Sequence, residues 1–535
     1  MINPLNIAAT SAVVLVVAVA GDRWSRNRRM RGSKLPPGPA GLPLLGNIFD
    51  FPKTEESLAY KAMSRKYESD IVQLTILGMS VIVLHDMKSV RDLMESRSSL
   101  YSDRPHSVMI CELMGWGSNV VFSSYGDFWR ASRKVMHQEF KPLAVHNFHP
   151  GQIKAARQLL RRLLDSPDLW LEHLKQQIAG ATLDTIYGID MAPKNDPYID
   201  VLEDAIDGVT TAARPGAFLV DAISWLKYIP AWVPGADFQR KANIWKEYRA
   251  SSAFNTYNAC KQDIVEGSEK SSYCSRLLAG LDPSRDNSAE ELIIRETAAA
   301  VYGAGVDTVV SVLGTFFLAM VMHPEVQAKA QAEIDAVVGP GRLPTFGEED
   351  SLPYLSAVVK ECLRWQNALP LGVPHRLMAD DHYNGYFLSA GSIVVVNTWA
   401  ILHDENTYPD PFSFKPERFM KDGQLDPTVQ DPALVAFGYG RRIWFVIICL
   451  YQVPAIDFKR SPGRHLAIGN LWLTFASVLT AFNIAKAVDA DGRQITPSGR
   501  YLQSLTSHVE PFKCAITPRS ESVKDMILST ADEAM

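Results

Sequence analysis

Between Ile293 and Val321 the sequence is apolar with a helical period, and in its middle stand Ala304-Gly305-Val306-Asp307-Thr308. An acid and a hydroxyl are thereby set inside a buried helix, beside glycines that weaken it, a placement that costs stability. A threonine hydroxyl can bond back to the carbonyl one turn earlier and bend the helix, which opens room for a small ligand and water. A kinked core helix whose threonine merely satisfies itself is the plainer reading of the same residues.

The chain has 535 residues, enough for several ordinary domains or for one large fold. No repeat at solenoid spacing and no long low-complexity linker divides it, so one large domain is expected. Alternation through Ile71-Val72-Gln73-Leu74-Thr75-Ile76, a break at Gly78, and Val81-Ile82-Val83-Leu84 predict a hairpin near the start. A second hairpin is expected to turn at Asn384-Gly385, continue through Tyr386-Phe387-Leu388 and run out along Ile393 to Val396. From about Pro142 to Arg364 helical periodicity dominates, most clearly at Gln158 to Leu164 and Val326 to Val337. The expected fold class is mainly α with small β-sheets.

A formal net charge of −5 with scattered signs argues against a nucleic-acid partner, which would demand a basic face or stripe. The six cysteines are spread widely with no C-x-x-C pair, so no disulfide framework is expected, and each reads as a small buried hydrophobe.

Leu5 to Gly21 is apolar apart from Asn6, Thr10 and Ser11, and Arg23, Arg26, Arg28, Arg29 and Arg31 follow at once. Charge after the apolar run suits an anchor with its arginine side in the cytoplasm better than a cleaved leader, whose charge comes first. The run is short against the roughly 20 residues that cross a bilayer, so a cleavable signal and a helix lying on the membrane stay open. Residues 1–31 are therefore set apart as anchor and basic flank, followed by Leu35-Pro36-Pro37-Gly38-Pro39, a stiff extended spacer.

Glu361-Cys362-Leu363-Arg364 places opposite charges three apart on one helix face, where they can pair. Alone this is common surface decoration, but Pro416-Glu417-Arg418-Phe419 offers a second arginine to the same carboxylate. Buried together, the three would be a structural triad, because removing one member strands a charge.

Taken in order, A-G-x-D-T, E-x-x-R, P-E-R-F and Phe437-Gly438-Tyr439-Gly440-Arg441-Arg442 closely resemble the cytochrome P-450 superfamily. The resemblance spans the proline spacer to about Arg519 and is similar in particular to fungal members of the O-methylsterigmatocystin oxidoreductase group. It implies a single cytochrome P-450 fold over residues 32–519 behind the membrane anchor, with 520–535 a polar tail. It implies heme b with a cysteine thiolate on the iron, and NADPH electrons delivered by an NADPH-cytochrome reductase. Glu361, Arg364 and Arg418 become the scaffold triad, and Asp307 with Thr308 the oxygen-activating pair. Trp129 and Arg133, in a W-x-x-x-R pattern, Arg376 in Pro374-His375-Arg376, and Arg442 become contacts to the haem propionates, for which the planar guanidinium is suited. Phe437, Gly440 and Gly463 belong to the haem loop. The implied reaction inserts one oxygen atom into a hydrophobic small molecule, such as a polyketide, terpenoid or polycyclic aromatic, at the endoplasmic reticulum membrane. A largely apolar pocket is expected from Val108 to Met114, Ala299 to Gly303 and Leu369 to Val373.

The haem loop departs from the family's F-x-x-G-x-R-x-C-x-G. Phe437, Gly440, Arg442 and Ile443 fill its first part, but Trp444 stands where the cysteine belongs, and the pattern resumes only at Pro462-Gly463-Arg464. The codons of Trp444-Phe445-Val446 contain G-TTY-GT, which fits a fungal splice donor, and Ser461 can be AGC or AGT. Cutting after TG of Trp444 and after AG of Ser461 writes a cysteine codon and excises a multiple of three bases, so residues 444–461 read as a retained intron. The other candidate ligand is Cys449, although Phe445 to Tyr451 reads as an apolar, β-prone run that lacks the backbone donors a thiolate needs. With neither ligand the chain would be a haem-poor, non-catalytic, membrane-anchored binding protein.

Overall fold

The computed structural model describes residues 29–30, 32–43, 45–140, 146–192, 196–214, 216–442 and 465–530. The expected anchor, and Trp444, Cys449 and Gly463 of the interrupted loop, lie outside the described residues. The chain divides into two compact units, one up to Pro105 together with Pro374–Asn397, the other His106–Val373 with Thr398 onward.

In the first unit, α1 (Glu56–Lys66) precedes β1 (Ile71–Ile76) and β2 (Met79–Leu84), and the later segment supplies β3 (His375–Arg376), β4 (Asp381–Tyr383), β5 (Tyr386–Leu388) and β6 (Ile393–Val396). The first hairpin forms as the alternation requires, with Ile71 opposite Leu84 and Ile76 opposite Met79. The second differs from expectation. Asn384 and Gly385, at φ of 48° and 79°, close β4 onto β5 alone, as a two-residue turn with both residues left-handed should. Ile393–Val396 instead pairs parallel with β2 and antiparallel with β3, in the sheet order β1-β2-β6-β3. A run of consecutive branched apolar residues suits a strand with neighbours on both sides, and Ile393–Val396 is such a strand, not the run-out of the second hairpin. The proline spacer lies along β1, where the Pro37 carbonyl accepts from the Gln73 N–H at 2.9 Å. The Asn47 side chain bonds the Pro39 carbonyl at 3.0 Å and accepts from the Thr75 N–H at 2.9 Å. An edge that would otherwise expose unpaired backbone is thus covered.

The second unit is helical, with α2 (Asp127–Glu139), α3 (His149–Asp165), α4 (Trp170–Tyr187), α5 (Pro197–Ala212), α6 (Asp237–Glu266), α7 (Tyr273–Ala279), α8 (Ser288–Met322), α9 (Pro324–Val338), α10 (Pro353–Trp365), α11 (His465–Ala481) and α12 (Glu521–Ser529). Small two-stranded pairs complete it: β7 (Met420–Lys421) with β8 (Gln424–Leu425), β9 (Phe482–Lys486) with β12 (Cys514–Pro518), and β10 (Tyr501–Gln503) with β11 (Ser507–Val509).

At about 1.5 Å per residue, α8 runs roughly 50 Å. Among the described residues it is the one helix long and apolar enough to cross a membrane, yet most of that stretch is buried in protein. Phe316 stacks on Phe475 of α11 at 3.8 Å, and Phe317 on Trp170 of α4 at 4.8 Å. Near its start the fully buried Glu296 pairs with Arg249 of α6, whose guanidinium also reaches the Ser118 hydroxyl at 3.1 Å. A core helix of this kind can be apolar around most of its circumference because other elements cover it.

Candidate active site

From Glu296 to Val321 every residue of α8 is buried except Ala299, Gly303, Ala304, Gly305, Asp307 and Thr308. Ala299, Gly303 and Asp307 follow one another at i, i+4 with Ala304 and Thr308 beside them, whereas Gly305 lies further round the helix, so the covering shell thins over this stretch of α8. Small residues keep the stretch clear, and a Cβ built on Gly305 would meet nothing within 4 Å. The Thr308 hydroxyl donates to the Ala304 carbonyl at 2.8 Å, as the sequence suggested, while the helix continues unbroken through both.

Asp307 has a partner that no sequence pattern indicated. His508 of β11 brings its Nε2 to 2.9 Å from the Asp307 Oδ1. Burial pushes the Asp307 carboxyl up, but the hydrogen bond and charge of His508, with Thr506 and the more distant Lys175, outweigh it and hold the group below the usual carboxylate range. Of the other expected lining, Val108, Met109, Ile110 and Met114 pack into a local cluster with Val209, Ala212 and Val220. Leu369 to Val373 is half-buried throughout.

A second assembly gathers cations around aromatic rings. Trp129, buried on α2, lies 5.0 Å from the Tyr125 ring, with Arg133 at 5.2 Å and Arg442 at 4.9 Å over its own ring. Arg442 is buried and donates to the Val120 and Ser123 carbonyls at 3.2 and 2.8 Å. Arg441 bonds the Tyr125 hydroxyl, and Arg133 donates to the Arg441 carbonyl. Sequence reading found Trp129, Arg133 and Arg442, but missed Arg441 and Tyr125, for which the doubled arginine was the only hint. Phe437 packs half-buried beside the core, and Gly440, at φ 57°, opens the short turn Gly440–Arg442.

The triad is buried as a unit. Arg364 grips Glu361 with two bonds of 2.7 and 2.9 Å, and Arg418 adds a third at 3.1 Å. The Lys415 N–H donates to the same carboxylate at 2.8 Å. Both arginines spend their remaining donors on carbonyls, Arg364 on Leu402, Pro411 and Ser413, and Arg418 on Pro409, Asp410 and Ser413.

The Cytochrome P450 family model matches residues 36–450. Over 518 residues the chain is 42% identical to tryptamine 4-monooxygenase of Psilocybe cyanescens, spanning 96% of this chain and 99% of that one. It is 43% identical over 530 residues to cytochrome P450 monooxygenase 98 of Postia placenta (98% and 97%), and 38% over 526 to cytochrome P450 monooxygenase ple1 of Rhodocybe pseudopiperita (98% and 97%). The chain belongs to the cytochrome P450 family.

It is accordingly an oxygen-incorporating oxidoreductase, whose family uses a haem-thiolate iron and electrons supplied by a reductase. The residues of this cytochrome P450 fit such a group in two respects. The guanidiniums of Arg133, Arg441 and Arg442 converge on one site, the donor set a carboxylate-bearing cofactor requires, and the partly covered stretch of α8 leaves room beside small residues. Arg376 belongs to the first unit, on β3, where it pairs with Asp103 at 3.3 Å. The described cysteines, Cys111, Cys260, Cys274, Cys362 and Cys514, are all buried. Burial drives the Cys362 and Cys274 thiols well up, and that of Cys514 to about 12, the inert behaviour expected of core thiols.

Glu361→Gln and Arg418→Leu should each destabilise the fold by about 3–5 kcal/mol by stranding buried charge. Urea unfolding followed by far-ultraviolet circular dichroism checks this, and losses below about 1 kcal/mol, the range of surface pairs, would remove the triad from its structural role.

Proposed function

We propose that this cytochrome P450 is an NADPH-dependent haem-thiolate monooxygenase that oxidises a hydrophobic small molecule, of the polyketide, terpenoid or polycyclic aromatic kind, at the endoplasmic reticulum membrane. The observation that carries the reading is the thinning of the cover over α8 from Ala299 to Thr308, with Asp307 and Thr308 at its end. When bound, the thiolate-ligated haem iron supplies the oxygen-activating chemistry, its sulfur pushing electron density onto the metal.

The chain's own residues do the rest. Arg133 and Arg442, fixed against Trp129, hold the propionates, with Arg441 beside them. Ala299, Gly303 and Gly305 give the substrate an apolar wall without filling it. Asp307 moves protons as a positioned acid, and the Thr308 hydroxyl presents one at the partly covered stretch of α8. Glu361, Arg364 and Arg418 act only by holding the surrounding backbone. Phe437, Gly440 and Gly463 frame the loop that carries the sulfur.

We read residues 444–461 as a retained intron whose removal restores a cysteine between Ile443 and Pro462. The family match ending at residue 450, inside that segment, supports this. The membrane reading rests on the apolar segment Leu5 to Gly21 and gains support from the body. Leu219, Trp225, Tyr228 and Trp232, between α5 and α6, are 63–80% exposed, and tryptophan with tyrosine in such a patch suits the interface of a bilayer.

Three outcomes are expected. Sequencing of the mature transcript should join the codons of Ile443 and Pro462 through a cysteine, and its protein should give the haem-thiolate band in a reduced carbon monoxide difference spectrum. A message still encoding Phe445 to Arg460, or a histidine-like band, would overturn the assignment of the sulfur. Thr308→Ala should lower product formed per NADPH about tenfold or more, the full contribution of a positioned proton donor being 10²–10⁴-fold, while hydrogen peroxide rises. Unchanged coupling would remove Thr308 from the pathway. A chain lacking residues 1–31 should still float with anionic vesicles and lose most of that binding on Trp225→Ser with Trp232→Ser, and equal binding by both would reject the patch.

A further inference from the structure

The strand that supplies His508 is registered against α8 at successive turns. Where Asp307 meets His508, the Ser311 hydroxyl one turn on donates to the Ser507 carbonyl. One turn further, Gly314 admits Val509, which would lie 2.9 Å from a Cβ built there. His508 is therefore held opposite Asp307 by contacts that do not involve either side chain. Thr506, buried just before the same strand, helps to keep the carboxyl ionised. The remaining charge that acts on Asp307 is Lys175 of α4, itself engaged by Glu203 of α5 at 3.1 Å. The His508 side chain keeps 32% of its surface exposed, against 19% for Asp307. The imidazole thus stands on the more accessible side of the pair.

We infer that His508 acts through Asp307, holding its carboxylate in place and passing it the protons that reduction of dioxygen consumes. This rests on the reading of Asp307 and Thr308 as the proton-handling pair. In each transfer the imidazolium gives its Nε2 proton to the Asp307 Oδ1 and becomes neutral imidazole. The neutral acid releases that proton at the partly covered stretch of α8, and a proton from water recharges the ring. No electron moves, and after recharging both groups return to their starting charge. Histidine is suited to this duty because either ring nitrogen can donate or accept a proton.

The pair favours the ionised carboxyl, so its contribution to stability is present above the ordinary carboxylate range and is lost as pH falls through the depressed value. This supplies a readout independent of turnover. In the haem-loaded protein of the mature transcript, Asp307→Asn and His508→Leu should be non-additive in urea midpoint at neutral pH, and the non-additivity should fade as the pH falls into the acid range. Additive midpoints would mean that the pair does not form in solution.

His508→Gln separates holding from passing, because the amide can still donate to Asp307 but cannot carry a proton. Its urea midpoint should stay nearer to wild type than that of His508→Leu, while product per NADPH falls about tenfold and the solvent deuterium isotope effect on turnover grows. Wild-type coupling and isotope effect in His508→Gln across the neutral range would overturn the inference and leave a structural pin. A wild-type protein that makes no product fails the monooxygenase reading, and this one with it. Product from the wild type together with unchanged coupling in His508→Gln fails this one alone.

Discussion

The helical unit is organised around one fully buried carboxylate. Glu361 accepts from Arg364, Arg418 and the Lys415 N–H, and both arginines then fix the carbonyls of a loop that has almost no regular structure of its own. From Pro409 to Ser413 that loop is held by guanidinium donors where a sheet or helix would use its own backbone. The Trp365 indole N–H adds a bond to the Phe412 carbonyl at 2.8 Å. Isolated, such an ion set would cost more in desolvation than it returns. Here both carboxylate oxygens and all of the Arg364 donors are used, which is the condition under which buried charge is tolerated. The arrangement positions the chain that leads on to Phe437 and Arg442, and so the arginine side of the site depends on it.

Opposite demands meet on α8. Its apolar residues bind α4 and α11 through stacked aromatics, while its glycines and alanines leave the stretch from Ala299 to Thr308 only partly covered. A sequence chosen only for helix stability would not place Gly303 and Gly305 there, nor an acid beside them. Local choice conflicts with fold stability along this stretch, and such conflicts mark function more often than accident. The cost is contained because Thr308 satisfies itself on Ala304 and Asp307 is satisfied from β11.

What could be read in the sequence follows the range of the contacts. Glu361 and Arg364 are one helical turn apart, and Thr308 bonds within its own helix, so both were legible as local patterns. The hairpin at Leu77-Gly78 and the turn at Asn384-Gly385 were legible for the same reason. His508 was not, because its partner is distant in sequence and β11 is too short to show a period. The pairing of β6 with β2 was hidden likewise, since Ile393 to Val396 carries no signal of which strand it will join. Arg441 escaped notice because a doubled arginine at a loop reads as a solvated surface, whereas only the fold brings Tyr125 beneath it.

Where sequence and fold part company most sharply is at the loop after Arg442. Up to that residue each position has a reason: Tyr439 bonds the Thr398 hydroxyl at 2.9 Å, Gly440 takes a backbone conformation that favours glycine, and Arg442 caps two carbonyls over Trp129. From His465 onward the reasons resume, with α11 stacking Phe475 on Phe316. A segment rich in branched and aromatic residues inserted between two such determined ends supplies no chemistry that either end needs. On the reading of residues 444–461 as a retained intron, a single cysteine would stand between Arg442 and α11, and the cofactor the family uses would give both ends a common purpose.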